Sequence, residues 1–245
     1  MKDMHILVIN LEKNKERMAF MDRQLKAFDL DYERIPAVYG AALTKDERKK
    51  CFARFHSFLA MGVKLNDGEI GCSLSHLLCC RRILSEGWDG ALILEDDVKL
   101  EPGFPHTADL IRTKLAEGGR TASGLSLGIP GNSRGGQEAD SGSRAVVVST
   151  QYGGLLHHAR AAAEIVLKAN DPVVTVADHW GRWVARYGLE LYRVWPTTVW
   201  QNDKVYGTDI NVGKIGYHGF GKLVHKACRV PELLLDWLLF KLTGK

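Results

Sequence analysis

The sequence predicts an α/β protein with a doubly wound sheet, and three observations carry that expectation. A short apolar run, His5 to Leu11, is followed by a helical pattern and then a second strand pattern, the strand–helix–strand unit from which such sheets are built. Segments of helical and of strand character then alternate along most of the chain. A further run, Ala91-Leu92-Ile93-Leu94, carries no polar residue, as a strand buried on both faces requires. With 245 residues, 45% apolar and 25% charged, the chain has length for one large domain or two small ones and an ordinary core.

The elements follow in order. His5–Leu11 reads as a buried strand. Glu12–Phe28 reads as a helix, because Met18, Met21, Leu25 and Phe28 recur at spacings of three and four with charges between them. Tyr32–Ala37 is a second strand, ended by Tyr39-Gly40. Residues 44–64, first charged and then aromatic, make one or two helices. Asn66-Asp67-Gly68 is turn or cap chemistry. It opens a helix over Gly68–Ser85, with Ile70, Leu74, Leu77, Leu78 and Ile83 apolar, and Gly87 stops it. The strand at Ala91–Leu94 comes next. Residues 118–144 are rich in glycine and polar groups around a short apolar piece, Leu125–Pro130, and their second half reads as a long loop of the kind that covers active sites. Val146–Ser149 is a strand, Tyr152–Leu156 another, Ala159–Lys168 a helix, Val176–Tyr187 a helix and Leu189–Val194 a strand.

The strand at Ala91–Leu94 empties into Glu95, Asp96 and Asp97. Three carboxylates at one strand end repel one another and raise at least one pKa, and a divalent cation offsets that cost. The triplet therefore marks a place for a hard cation with oxygen ligands and for the anion it holds. A solvated acidic turn is the plainer alternative. If the chain is extended there, Glu95 and Asp97 point one way and Asp96 the other; at a turn, Asp96 instead reaches a substrate hydroxyl.

Other classes are disfavoured. Lys and Arg number 33 against 29 Asp and Glu, too mild a balance to argue nucleic acid. The chain carries no G-x-x-x-x-G-K-[ST] loop, no G-x-G-x-x-G after the first strand and no G-x-S-x-G elbow. Cys51, Cys72, Cys79, Cys80 and Cys228 include no C-x-x-C pair and read as reduced, packed thiols. With no leader pattern in Met1–Asn10, they point to the cytoplasm. The tail is distinct. Pro231–Leu242 is dominated by leucine and aromatic residues and follows Lys222, Lys226 and Arg229. Its length is short of the ~20 apolar residues of a membrane span. It reads either as an interfacial anchor on anionic lipid or as a helix docked on the core. The expected division is a domain over 1–215 and a basic, amphipathic tail over 216–245.

Two motifs in combination resemble glycosyltransferase family 25, which includes bacterial lipooligosaccharide galactosyltransferases. Gly68-Glu69-Ile70-Gly71-Cys72-Ser73-Leu74-Ser75-His76 resembles its G-E-I-G-C-x-L-S-H signature, and Leu94-Glu95-Asp96-Asp97-Val98 its L-E-D-D-V element. Val8-Ile9-Asn10-Leu11 with Arg17 is similar to its opening strand. Ala37-Val38-Tyr39-Gly40 stands where the family often has A-V-D-G, so Tyr39 departs from the pattern. The resemblance implies a GT-A-like, Rossmann-type αβα sandwich with a mixed, mostly parallel central sheet, binding a UDP-sugar with Mn²⁺ or Mg²⁺. It implies Glu95 and Asp97 as metal ligands, with His218 as a late third. The candidates on the nucleotide-sugar side are Asn10, Leu11, Arg17, Asp96, Ser75, His76 and Lys222, with a solvated helix face as the alternative for Arg17 and a satisfied core histidine as the alternative for His76. The family's inverting chemistry needs a general base. Asp178, in a stretch resembling a family P-x-D-x-x, is the first candidate, with a helix N-cap role as its alternative; Glu69 is the second, with a helix-capping role as its alternative.

The expected function is an inverting, metal-dependent transfer of a hexose, galactose by resemblance, from a UDP-sugar to a lipooligosaccharide or LPS-type glycan at the cytoplasmic face of the inner membrane. The rival readings are a metal-dependent phosphatase or nucleotidyltransferase, and a catalytically inactive GT-A domain serving as a membrane or assembly module.

Overall fold

The computed structural model describes residues 4–116, 125–127, 146–149, 155–187, 189–194, 198–202 and 215–216. Its central sheet has seven strands in the order β2 (Glu33–Pro36), β1 (Ile6–Asn10), β4 (Gly90–Glu95), β8 (Leu155–Ala159), β7 (Val146–Ser149), β9 (Glu190–Val194) and β6 (Leu125–Leu127). The first three run parallel: Ile9 lies beside Ile35 on one side and Glu95 on the other. This is the crossover unit that the opening of the sequence predicts, with α1 (Lys15–Ala27) joining β1 to β2.

Beyond β4 the sheet changes character. β4 and β8 pair antiparallel, as do β7 with β8 and β6 with β9, while β7 and β9 are parallel. The expectation of a mostly parallel sheet is thus met on the β2-β1-β4 side and in the β7–β9 pair, while the other three pairs are antiparallel. The reason is local. Only residues 150–154 separate β7 from β8, too short a link for the crossover that a parallel pair requires.

Helices cover both faces. Leu7 and Ile9 of β1 and Ala91 and Ile93 of β4 pack into one core with Ile70, Leu74, Leu77 and Ile83 of α4 (Asp67–Ser85) and with Ala162, Ala163 and Val166 of α6 (Arg160–Asn170). Ile6 and Val8, and Leu92 and Leu94, point the other way. They meet Met21 and Leu25 of α1 and Phe104, Ala108 and Ile111 of α5 (Phe104–Ala116). The period-two alternation of both strands thus feeds two separate cores, which is why each reads as an unbroken apolar run. Cys79 and Cys80 are buried free thiols, as their packing role requires.

Several elements lie outside the sequence expectation. A two-strand ribbon pairs β5 (Val98–Leu100) with β10 (Val199–Gln201), and a second pairs β3 (Val63–Lys64) with β11 (Ile215–Gly216). The Gln24 side chain of α1 completes the free edge of β5: its Nε2 donates to the Val98 carbonyl at 3.0 Å and its Oε1 accepts from the Leu100 amide at 2.8 Å. Residues 44–64 do form helices as expected, two of them, α2 (Lys45–Cys51) and α3 (Arg54–Met61). The helix expected from Val176 begins only at Trp180, as α7 (Trp180–Tyr187). The buried Asn170 side chain explains the delay. Its Oδ1 accepts from the Val174 and Thr175 amides, both at 2.8 Å, and its Nδ2 donates to the Thr175 carbonyl at 3.1 Å. The backbone is thereby held out of helix up to the turn that carries Asp178. Asn170→Ala strands these buried groups and should cost about 3 kcal/mol of stability, read from urea unfolding. A loss under about 1 kcal/mol would show that the clamp is dispensable. The boundary expected at 215/216 falls within β11, and residues 217–245 lie outside the described residues, as does most of the 118–144 segment.

Candidate active site

β1 and β4 are parallel neighbours, so their carboxyl ends open at the same edge, where ligands of such sheets bind. Glu95 ends β4, and Asp96 and Asp97 form the turn into β5. Of the two geometries open in the sequence, the turn is the one adopted. The three acids form the floor of a cavity of about 480 Å³. Its walls come from Leu11 and Arg17 on one side and from Cys72, Ser75 and His76 of α4 on another.

Asp96 is held from the β1 side. Asn10 Nδ2 donates to its Oδ2 at 2.6 Å and Arg17 Nη1 approaches its Oδ1 at 3.3 Å. Asn10 is itself fixed by Arg34, whose Nε donates to Asn10 Oδ1 at 2.9 Å. Burial raises the Asp96 pKa against the lowering effect of these two partners. Asp97 stands differently. It is 7% exposed, and its Oδ1 is buried with no hydrogen-bond partner among the described residues. Burial first, then the charges of Glu95 and Asp96, push its carboxyl up to about 6, while the Gln201 amide works the other way. The main chain of this turn is secured by Asn202, whose amide donates to the Asp97 carbonyl at 2.7 Å. An unpartnered carboxylate oxygen beside two further acids fits a hard divalent cation: the donors are all oxygen and the local charge calls for neutralisation.

Local sequence explains the α4 wall. Asn66 caps the helix in a closed box: its Oδ1 accepts from the Glu69 amide at 2.9 Å and Glu69 Oε2 accepts from the Asn66 amide at 2.8 Å. Glu69 is therefore occupied at the helix start and lies outside the cavity lining. Ser75 is also occupied. Its Oγ donates to the Gly71 carbonyl at 2.7 Å and accepts from the Val38 amide at 2.9 Å, strapping the segment after β2 to α4. His76 is buried. Its Nδ1 has no hydrogen-bond partner among the described residues, and its Nε2 lies 3.5 Å from Glu95 Oε1. The residue 38–42 segment can press this close because Gly40 meets Gly71 backbone to backbone.

Asn10, Arg17, Asp96 and the Glu95–Asp97 pair are thus brought together, with Leu11 on the wall. Asp178 sits in an exposed turn outside the cavity lining, yet its charge adds to the rise in the Cys72 pKa, which burial leads and Glu95 follows. It therefore stands within electrostatic reach of the Cys72 end of the cavity. His218 and Lys222 lie outside the described residues. Sequence reasoning gave no site role to Gln201, to Cys72, or to Tyr39, which is half exposed at the cavity wall with Lys13 Nζ 4.6 Å from its ring centre. Only Cys72 carried a usable signal: it lies four residues before His76 on one helix face.

Comparison with known proteins bears on this same region. Residues 3–122 match the model of glycosyltransferase family 25 (LPS biosynthesis protein). A Glycosyltransferase 25 family member of Aedes aegypti is 35% identical over 103 residues, covering 41% of this chain and 17% of that protein. One from Anopheles gambiae is 36% identical over 107 residues, covering 42% and 18%. Procollagen galactosyltransferase 2 of Homo sapiens is 30% identical over 106 residues, covering 40% and 16%. The chain thus spans about a sixth of the length of the curated relatives it matches. The resemblance read from the motifs holds over the segment that builds the acid floor: residues 3–122 match the glycosyltransferase family 25 model.

Proposed function

We propose that the chain is a GT-A-type glycosyltransferase that moves a hexose, galactose in our reading, from a UDP-sugar to a glycan acceptor of the lipooligosaccharide or LPS type. The observation that carries the proposal is the acid floor: Glu95, Asp96 and Asp97 end a central strand, one buried Asp97 oxygen is unpartnered among the described residues, and a cavity opens above them. The relatives, a family of LPS biosynthesis proteins and procollagen galactosyltransferases, support the sugar and the acceptor class.

In this reading Glu95 and Asp97 hold Mn²⁺ or Mg²⁺, with His218 as a later ligand. The ion supplies positive charge to the departing diphosphate. Arg17 adds a fixed cation at the floor while holding Asp96, whose remaining acceptor capacity serves a sugar or ribose hydroxyl. Lys222 serves the diphosphate. The acceptor hydroxyl attacks the anomeric carbon from the face opposite the leaving group. Its proton passes to a carboxylate, and the carbon–oxygen bond to the diphosphate breaks with inversion, UDP leaving with the bonding electrons. Asp178 takes the base role in preference to Glu69, because the Glu69 carboxylate closes the α4 cap. No helix of the described residues is long and apolar enough to cross a membrane. The basic tail would hold the enzyme against anionic lipid at the cytoplasmic face, where lipid-linked acceptors lie.

Calorimetry with UDP and a UDP-hexose panel, with and without Mn²⁺, tests the reading. UDP binding should require the metal, and Asp97→Ala should lower donor turnover by a factor on the order of 10²–10³, the scale of losing one preorganised charge partner. Metal-dependent release of phosphate from simple esters without sugar transfer would select the phosphatase reading. Lipid binding with no turnover of any UDP-sugar would select the inactive module.

A further inference from the structure

Cys72, His76 and Glu95 converge on one point of the cavity wall. One ligand atom from each lies within 4.8 Å of the other two. Cys72 and His76 are four apart on α4, so they present side by side, and Glu95 reaches them from the end of β4. We propose that these three side chains form a binding site for a thiophilic divalent cation of the zinc or cobalt class, separate in its thiolate ligand from the carboxylate site at Asp97.

Three features argue for it. The first is edge length. A tetrahedral cation bound at about 2.0–2.3 Å sets its ligands roughly 3.3–3.8 Å apart. His76 Nε2 and Glu95 Oε1 already stand at 3.5 Å, and a Cys72 ligand atom lies within 4.8 Å of one from each of these residues. The second is the state of the imidazole. His76 is 5% exposed, yet its Nδ1 has no hydrogen-bond partner among the described residues, and its Nε2 is too far from Glu95 for a good hydrogen bond. A cation between Nε2 and Glu95 gives that nitrogen and that carboxylate the close partner they lack in each other. The third is access. Cys72, His76 and Glu95 all line the cavity, so a cation arriving from solvent meets all three.

Softness decides which cation enters. Thiolate and imidazole favour zinc and cobalt over magnesium and manganese, whereas the oxygens of Asp97 favour the hard ions. Binding displaces the thiol proton of Cys72 to solvent and leaves a sulfur–metal bond. Glu95 is common to both sites, so a zinc ion here draws away a ligand of the hard cation. That last consequence, competitive inhibition by zinc, rests on the reading given under Proposed function; the binding itself does not.

The test uses the full chain after chelator treatment, titrated with Co²⁺ and then Zn²⁺. One cobalt per chain should bind with a near-ultraviolet thiolate-to-cobalt charge-transfer band, and zinc should abolish that band. Cys72→Ser should lose the band and bind zinc at least roughly 100-fold more weakly, the upper end of what an outer partner alone is worth. Cys51→Ser should change neither. Because a substitution inside α4 risks folding, X-ray absorption at the zinc edge of the unaltered protein gives a second measure: one sulfur at about 2.3 Å with nitrogen and oxygen neighbours. A band that persists in Cys72→Ser overturns the inference, and so does a zinc shell with no sulfur or with more than one. Sulfur-ligated zinc without UDP binding would sink the transferase reading alone, and Mn²⁺-dependent turnover without sulfur-ligated zinc would sink this inference alone.

Discussion

Asp97→Asn should stabilise the metal-free protein at pH 7.5 by about 2–3 kcal/mol and remove the part of its stability change between pH 4 and pH 7 that this carboxyl causes. The carboxyl has an ordinary value of 3.8 and is pushed up to about 6, by burial first and by Glu95 and Asp96 after it. The folded protein therefore holds the proton more tightly than the unfolded chain. Its stability is highest below pH 4, falls as pH rises from about 4 to about 6, and is flat above that as far as this group is concerned. Asparagine keeps the shape, carries no charge and has nothing to lose across that window. Urea unfolding of both proteins at pH 4.5 and 7.5, without metal, reads the difference directly. An equal slope in the two proteins would mean that Asp97 is not the strained acid. Saturating Mn²⁺ should close most of the gap at pH 7.5, since an ion at 100 times its dissociation constant adds about 2.7 kcal/mol to the parent alone.

The second large effect is steric. Gly40→Ala should destabilise the fold by about 3 kcal/mol or more, beyond the usual cost of overpacking a core. A Cβ at Gly40 would lie 1.8 Å from the Asp67 carbonyl oxygen and 3.0 Å from the Gly71 nitrogen, and one at Gly71 would lie 2.5 Å from the Val38 carbonyl oxygen. Both neighbours are backbone, so no side chain can swing aside. Relief requires the first turns of α4 to move, and those turns carry the cavity wall. Gly103→Ala is the control: its Cβ meets the Thr198 methyl at 3.3 Å, a contact that a small adjustment relieves. Comparable midpoint losses in the two variants would refute the backbone argument.

The parts of the fold that were legible in sequence are those fixed by short-range pattern. β1 and β4 could be read because two-sided burial leaves no room for polar residues. α4 could be read because Asn66, Asp67 and Gly68 open it and Gly87, at a φ of 70°, ends it. The acid floor was visible because three charges after a buried strand need a reason. What escaped depends on contacts between distant segments. Nothing in Val98–Leu100 announces a partner at Val199–Gln201, and nothing in Gln201 announces Asp97. The direction of the sheet beyond β4 was set by a short link after a segment with little periodicity. Glu69 was readable both as a base and as a cap, and only the hydrogen bond to Asn66 separates the two roles. The cluster at Cys72 escaped because cysteine spacing was weighed against other cysteines, while its neighbours are a histidine one turn later and a glutamate on another element.

The strand order carries a practical lesson for anyone trimming this chain. The stretch that matches the family model stops at residue 122, but β4 is zipped on its far side to residues 155–159, and Gln201 closes over Asp97 from later still. A fragment cut where the alignment stops would retain every acid and bare a row of unpaired amides and carbonyls along an apolar rim, an invitation to stick to its own copies. Homology and foldability thus end at different places here, and an expression clone has to respect the second.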